Sequence, residues 1–156
     1  MSEILSVYSS TFAPADLRQF GAGGEDLAAR FLLRNGYRIV LANFKAPIGR
    51  NRLGVAVTGE IDLIAFDESV LCFIEVKTRR SDEFSSALSA VDLRKQRQII
   101  RTAKVYRRIF RLTGIRFRYD VVTVLLHENK RPEIELFKNF WTEEKFQKKS
   151  WEGELW

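Results

Sequence analysis

A single cysteine and a single histidine stand among the 156 residues of this chain. One cysteine cannot close an intrachain disulfide, so the fold must rest on a packed core, as in proteins of a reducing compartment. Cys72 falls on the apolar face of its strand and reads as a buried, inert thiol. With His127 as the sole imidazole there is no Cys/His zinc set, and a serine–histidine triad is a poor fit. No apolar run approaches the ~20 residues that cross a bilayer. Met1-Ser2-Glu3-Ile4-Leu5 lacks the basic leader and apolar stretch of a secretory signal, which predicts a cytoplasmic protein with no membrane partner.

What is present suits one globular domain. Hydrophobic residues make up 46% against 29% charged, enough for a real core at this length. Lysine and arginine outnumber the acids 26 to 20, for a net charge of +6. Such an excess favours nucleic acid or another polyanion as partner.

The punctuation predicts an N-terminal arm over 1–13, a domain over 14–141 and a charged tail over 142–156 that holds Trp151 and Trp156. A helix opens at Pro14-Ala15-Asp16, becomes continuous near Gly21, carries Leu27, Ala28, Phe31 and Leu32, and stops at Asn35-Gly36. Residues 37–44 read as a strand. Pro47, Gly49 and Gly54 make 45–58 a loop, with Arg50 and Arg52 in it. A hairpin follows over 59–77. A second helix spans 89–112, opened by a capping box of Ser89 and Asp92 and ended by Gly114, with Ile99, Ala103, Tyr106 and Phe110 as its buried stripe. Strands at 117–126 and 133–141 complete an α-β-β-β-α-β-β order. That order predicts an α/β fold, a mixed central sheet flanked by helices on both faces.

The hairpin carries the chemistry. Its runs Gly59-Glu60-Ile61-Asp62-Leu63 and Phe73-Ile74-Glu75-Val76-Lys77 put three carboxylates and a lysine into otherwise buried strand. A turn at Glu68-Ser69 sets Asp62 opposite Glu75 and Glu60 opposite Lys77, all on one face. Ile61, Leu63, Ala65, Cys72, Ile74 and Val76 occupy the other. Two carboxylates opposed across a ladder repel, and a divalent cation removes that conflict. Asp62 and Glu75, with the Val76 carbonyl, are therefore candidate ligands for Mg²⁺, with Mn²⁺ as a substitute. Lys77, one pleat further, can orient a water and offset charge on a phosphoryl transition state. The rival reading is a surface hairpin with a Glu60–Lys77 salt bridge. Ile64, Phe66, Leu71 and Phe73 on the same face argue against such exposure.

Other candidates surround this trio. Glu25, on the sheet-facing side of the first helix, either completes the metal site or is a first-turn acid favoured by the helix dipole. Gly21 and Gly24 would let that helix approach a backbone or ligand closely. Lys95 and Gln96, just ahead of the buried stripe of the second helix, either reach the site to contact a phosphate or, for Lys95, simply snorkel past the core edge. Arg79 follows the hairpin, and Arg101, Lys104 and Arg108 lie on a helix with no acid between Asp92 and Asp120, a pattern suited to a phosphate backbone. Asp120, entering a buried strand, reads as a structural hydrogen-bonding group near the site.

Taken together, Gly21-x-x-Gly24-Glu25-Asp26-x-Ala28, Gly36-Tyr37, Asn43-Phe44, Gly59-Glu60-Ile61-Asp62-Leu63-Ile64 and Phe73-Ile74-Glu75-Val76-Lys77-Thr78-Arg79 resemble the bacterial YraN-like family of uncharacterised proteins. Ala90-Val91, Lys95-Gln96 and Tyr119-Asp120-Val121-Val122 continue the resemblance. That family is similar to the PD-(D/E)XK nucleases of restriction-endonuclease-like fold, Holliday-junction resolvases among them. The resemblance implies an αβββαβ core and nuclease roles for Glu25, Asp62, Glu75 and Lys77. It also implies a Mg²⁺-dependent DNA endonuclease, with branched or junction DNA as a candidate substrate and a homodimer as the form that would offer two sites to two strands. The rival class is a nucleic-acid-binding or scaffolding module with this fold and little cleavage. The loop 45–58 is longer than is usual in the family, and Asp67-Glu68-Ser69 replaces its common Asp-Gly turn.

Overall fold

Five strands and two helices make up residues 23–80 and 91–147, the part of the chain that a computed structural model describes. In order they are α1 (Gly24–Arg34), β1 (Arg38–Arg50), β2 (Ala56–Asp67), β3 (Val70–Arg80), α2 (Leu93–Ile109), β4 (Phe117–Leu126) and β5 (Glu133–Trp141), then a 3₁₀ turn at Glu143–Phe146. This is the expected element order, and it matches a restriction-endonuclease-like core. The N-terminal arm, the helix opening at Pro14, Gly21, Ser89 and the two tail tryptophans lie outside the described residues.

The strands lie in chain order across one sheet. All neighbours are antiparallel except β3 and β4, which run parallel around the crossover through α2. At the centre, Leu71 through Val76 of β3 are all buried, an unbroken run because both faces of the strand are covered. On one face α2 lays Ile99, Ile100, Ala103 and Tyr106 against Ile64, Phe66, Leu71 and Phe73. On the other, α1 lays Ala28, Ala29 and Leu32 against Leu63, Ala65, Cys72 and Ile74. Each large side chain so buried contributes about 1.5–3 kcal/mol. Tyr106 meets the rings of Phe44 and Phe73 edge-on, which locks α2 to the sheet.

Both helix ends obey local rules. Gly36, at φ 85°, lets α1 close in a Schellman turn, with the Tyr37 N–H donating to Leu32 O at 3.0 Å. Asp92, rather than Ser89, caps α2, its carboxylate accepting from the Lys95 N–H at 2.8 Å. The same helix stops before Gly114. Leu112 N–H donates back to Arg107 O, and Arg111 takes the left-handed position at φ 51°. Phe110, expected in the buried stripe, is 38% exposed, while Gln96, Ile100 and Thr102 join the buried residues.

Two expectations about the strands are corrected. The 45–58 segment is strand for most of its length, and β1 and β2 pair out to Arg50–Ala56. Pro47 and Gly49 fit because β1 is an edge strand and its register shifts between them. The alternation of faces also breaks. Ile61 packs under α2 with Ile64 rather than with Leu63. The break falls at Asn43, whose φ of 54° turns β1 between the Ala42–Leu63 and Phe44–Ile61 pairs.

Part of the predicted tail is also built in. Phe146 packs on the α2 cluster, and Glu143 accepts hydrogen bonds from Arg107 and the Tyr119 hydroxyl, each at 2.7 Å.

Candidate active site

The site forms where β2 and β3 part. Their ladder closes through Glu68-Ser69, runs from Asp67–Val70 to Leu63–Ile74, and stops there. That register is the expected one, but the pairing does not extend to Glu60 and Lys77. Past the fork, β2 stays with β1 and β3 stays with β4. Glu60 is accordingly opposite Lys45, with the charges 3.7 Å apart. The fork strips Val76 of a β2 partner, and Asp62 Oδ2 accepts its N–H at 2.8 Å. A carboxylate thus takes the place of a strand carbonyl.

Asp62 is 8% exposed and Glu75 is 3% exposed. Lys77 Nζ lies 3.0 Å from Glu75 Oε1, and Lys95 Nζ reaches the same oxygen from α2 at 3.6 Å. The second oxygen, Oε2, is buried without a hydrogen-bond partner. Burial first, then the charge of Glu75, and a hydrogen bond shared with the Glu75 carboxylate push the Asp62 carboxyl up to about 7, against the pull of the Val76 N–H and Lys95. Two buried anions side by side cannot both ionise cheaply.

Glu25 stands at the exposed start of α1. Partial burial, then the charges of Asp62 and Glu60, raise its pKa, and a hydrogen bond with Asn43 lowers it. Gly24 permits this approach, since a Cβ there would run into the Thr78 side chain on β3. Among the described residues no three His, Cys, Asp or Glu side chains gather closely enough to hold a metal ion. Glu25 is therefore a neighbour of the Asp62–Glu75 pair rather than a third wall of a cage.

The donor set still fits Mg²⁺, which commonly takes one or two carboxylates and completes its shell with water and phosphate oxygens. The orphaned Glu75 oxygen and the crowded carboxylates are what a divalent cation would relieve.

Of the remaining candidates, Lys95 reaches the pair and Gln96 does not. Gln96 is 5% exposed and its amide donates to Val91 O at 2.9 Å, so it faces the core. Arg79 is half-buried at the far end of β3, donating to Thr78 O. Arg101, Lys104 and Arg108 are placed along α2, all three exposed, with Lys104 4.0 Å from Glu143. Asp120 is structural as expected, fully buried and accepting from Arg118 Nε and the Asn139 N–H. Its partner Arg118 also binds Asp67 and Tyr37. That cluster runs from Asp67 at the turn to Asp120, which sits opposite Ile74, level with the last pair before the fork. Asn43 enters the sequence reading only as part of the Asn43-Phe44 resemblance and is given no role there; the signal for one is a residue tolerant of left-handed backbone inside a strand.

A model of the "Uncharacterised protein family UPF0102" matches residues 24–124. A UPF0102 protein of Desulfosudis oleivorans is 38% identical over 122 residues, 78% of this chain and 89% of that protein. One from Clostridium perfringens strain SM101 is 36% identical over 123 residues, 78% of this chain and 93% of its own length. Another, from Chlorobium phaeobacteroides strain BS1, is 39% identical over 128 residues, 82% and 91% respectively.

Proposed function

The chain belongs to the uncharacterised protein family UPF0102, and we propose from its site that it is a metal-dependent nuclease hydrolysing phosphodiester bonds in DNA. The observation that carries this reading is the fork. A buried carboxylate pair, one oxygen unpartnered, is flanked by two ammonium groups on the same Glu75 oxygen. A purely structural ion pair would satisfy its acceptors, since an unmet buried acceptor costs about 1–3 kcal/mol.

Asp62, Glu75 and the Val76 carbonyl would hold Mg²⁺ or Mn²⁺, with Glu25 beside them. The bound cation would supply Lewis-acid charge to a phosphate oxygen. The chain's own residues do the rest. Lys77 holds an attacking water by hydrogen bonding and lends positive charge as the phosphate gains negative charge. Lys95, from the other side of Glu75, holds the carboxylate in place and meets a second phosphate oxygen. Arg101, Lys104 and Arg108 bind the backbone of the nucleic acid. A cytoplasmic setting suits this substrate, and no helix among the described residues is long and apolar enough to cross a membrane.

The test is cleavage of labelled duplex, single strand, flap, fork and four-way junction in Mg²⁺, Mn²⁺ or EDTA, with Asp62→Ala and Glu75→Ala alongside. Metal-dependent cutting lost in both variants is the expected result. DNA binding without cutting under every metal would replace the enzyme with a binding module.

A further inference from the structure

Beyond the fork, β1 and β2 leave the sheet together as a two-stranded arm. Its root is braced by α2. Gln98 Nε2 donates to Thr58 O at 3.3 Å, and Gly59 lies so close to Thr102 that a Cβ would collide with the hydroxyl. From Asp62 to Ala56 the strand covers about 20 Å, and the turn over 51–55 lies further out. The tip is a built structure. Asn51 Oδ1 accepts from the N–H groups of Leu53 (2.9 Å) and Val55 (3.0 Å), and Arg50 Nη1 donates to Gly54 O at 2.6 Å. Gly54, at φ 76°, allows the bend.

This ordered tip holds its apolar groups outward. Leu53 is 87% exposed and Val55 58% exposed, two apolar side chains close together on a turn whose backbone is already satisfied. The charge has one sign. Residues 45–58 contain Lys45, Arg50 and Arg52 and no acid. Gln98, which touches the arm, is three residues from Arg101, so the basic surface of α2 continues onto the arm.

The geometry points to the arm as a DNA-binding element, which rests on the nuclease reading above. Arg50 and Arg52 grip the phosphates of a duplex whose next backbone segment lies at Asp62 and Glu75. Leu53 enters the minor groove as an apolar wedge that loosens the stack there. Apolar side chains between base steps partly unstack and bend DNA in this way, and arginines flanking a narrow groove suit its potential. A wedge out beyond the ~20 Å of strand that separates Ala56 from Asp62 would bend the duplex toward the carboxylates.

The experiment uses the full chain in EDTA, so that binding is read without cleavage, on a fluorescent duplex with internal 2-aminopurine. Wild type should raise 2-aminopurine emission near the contact. Leu53→Ser should abolish that rise and weaken binding about tenfold. Arg50→Ala and Arg52→Ala should each flatten the log–log salt dependence by about one. Leu53 and Arg52 are exposed, so Leu53→Ser and Arg52→Ala keep the fold, whereas Arg50→Ala also loses the bond to Gly54 O. The thermal unfolding midpoint checks all three, and Arg52→Ala carries the salt test if the Arg50 variant loosens the tip. Wild-type emission and affinity in Leu53→Ser would overturn the arm proposal alone. No salt-sensitive DNA binding by wild type would overturn the nuclease reading with it. If Leu53→Ser alters only concentration-dependent self-association, the arm is a contact between copies of the chain, and the DNA proposal fails.

Discussion

Replacing Asp62 with asparagine in metal-free buffer should remove a contribution to stability that wild type has in acid and loses across neutral pH. The fold raises the Asp62 carboxyl from 3.8 to about 7. In the unfolded chain it titrates near ~3.9. Between those values the native state holds a proton that the unfolded state releases. The contribution of Asp62 to stability is therefore fully present below pH ~4 and is lost as pH rises through about 7. At about 1.4 kcal/mol per pH unit, the loss over three units is about 4 kcal/mol. The asparagine amide cannot titrate, and its side-chain oxygen can still accept the Val76 N–H. Urea unfolding in EDTA at pH 4, 5, 6, 7 and 8 gives both stabilities. The stability of the Asp62→Asn variant relative to wild type should climb by about 4 kcal/mol over that range. Mg²⁺ at a hundred times its Kd should return about 2.7 kcal/mol to wild type at pH 8 and nothing to the variant. A difference that stays flat with pH would show that the two carboxylates do not oppose each other in the fold, and the argument for a cation between them would go.

Glu75→Ala should abolish divalent-metal binding while leaving the fold intact, and wild-type affinity by calorimetry would sink the site assignment. Charge reversal of Arg101, Lys104 and Arg108 together should flatten the log–log salt dependence of DNA binding by about three and leave metal affinity alone. Unchanged DNA affinity would remove α2 from the footprint. Gly59→Ala should cost about 1–3 kcal/mol by driving a methyl into Thr102. Thr102→Ala in the same chain should recover much of that loss, and additive effects of the two changes in a double-mutant cycle would place the helix further from β2.

Much of this architecture was legible because its signals are local. The Glu68-Ser69 turn fixed the β2–β3 register, and the Leu63–Ile74 pair lies where the turn puts it. Asn35-Gly36 marked the end of α1 because a left-handed residue is needed there. The misreadings share one physical cause, which is that neighbouring segments decide what a strand does. Strict alternation put Ile61 beside Leu63, but Asn43 on the adjacent strand turns the chain between them. Pro47, Gly49 and Gly54 looked like a loop, and an edge position with a register shift accommodates the first two in strand. Alternation likewise carried the hairpin on to Glu60 and Lys77. Nothing in either run announces that β2 will follow β1 while β3 follows β4. The carboxylates and Lys77 were found by their chemistry, and Lys95 by its place ahead of the helix's buried stripe.

The fork explains why Asp62 serves the fold as well as the proposed reaction, and the two roles can be separated. Had the ladder continued, a β2 carbonyl would face the Val76 N–H and Asp62 would be free to rotate. Instead its carboxylate closes that bond at 2.8 Å, which fixes the side chain next to Glu75 before any ligand arrives. Alanine at this position removes both the charge and the acceptor, whereas asparagine removes only the charge. Both variants should therefore lose metal binding. In EDTA at pH 8, however, Asp62→Ala should be less stable than Asp62→Asn by about 1–3 kcal/mol, the cost of a buried donor left unmet. Equal stabilities would mean that the Val76 N–H finds another acceptor, and that the side chain is not held in place by the parting of the strands. Unequal stabilities with equal loss of metal would assign the same side chain two tasks, completing the backbone at the fork and positioning one half of the carboxylate pair.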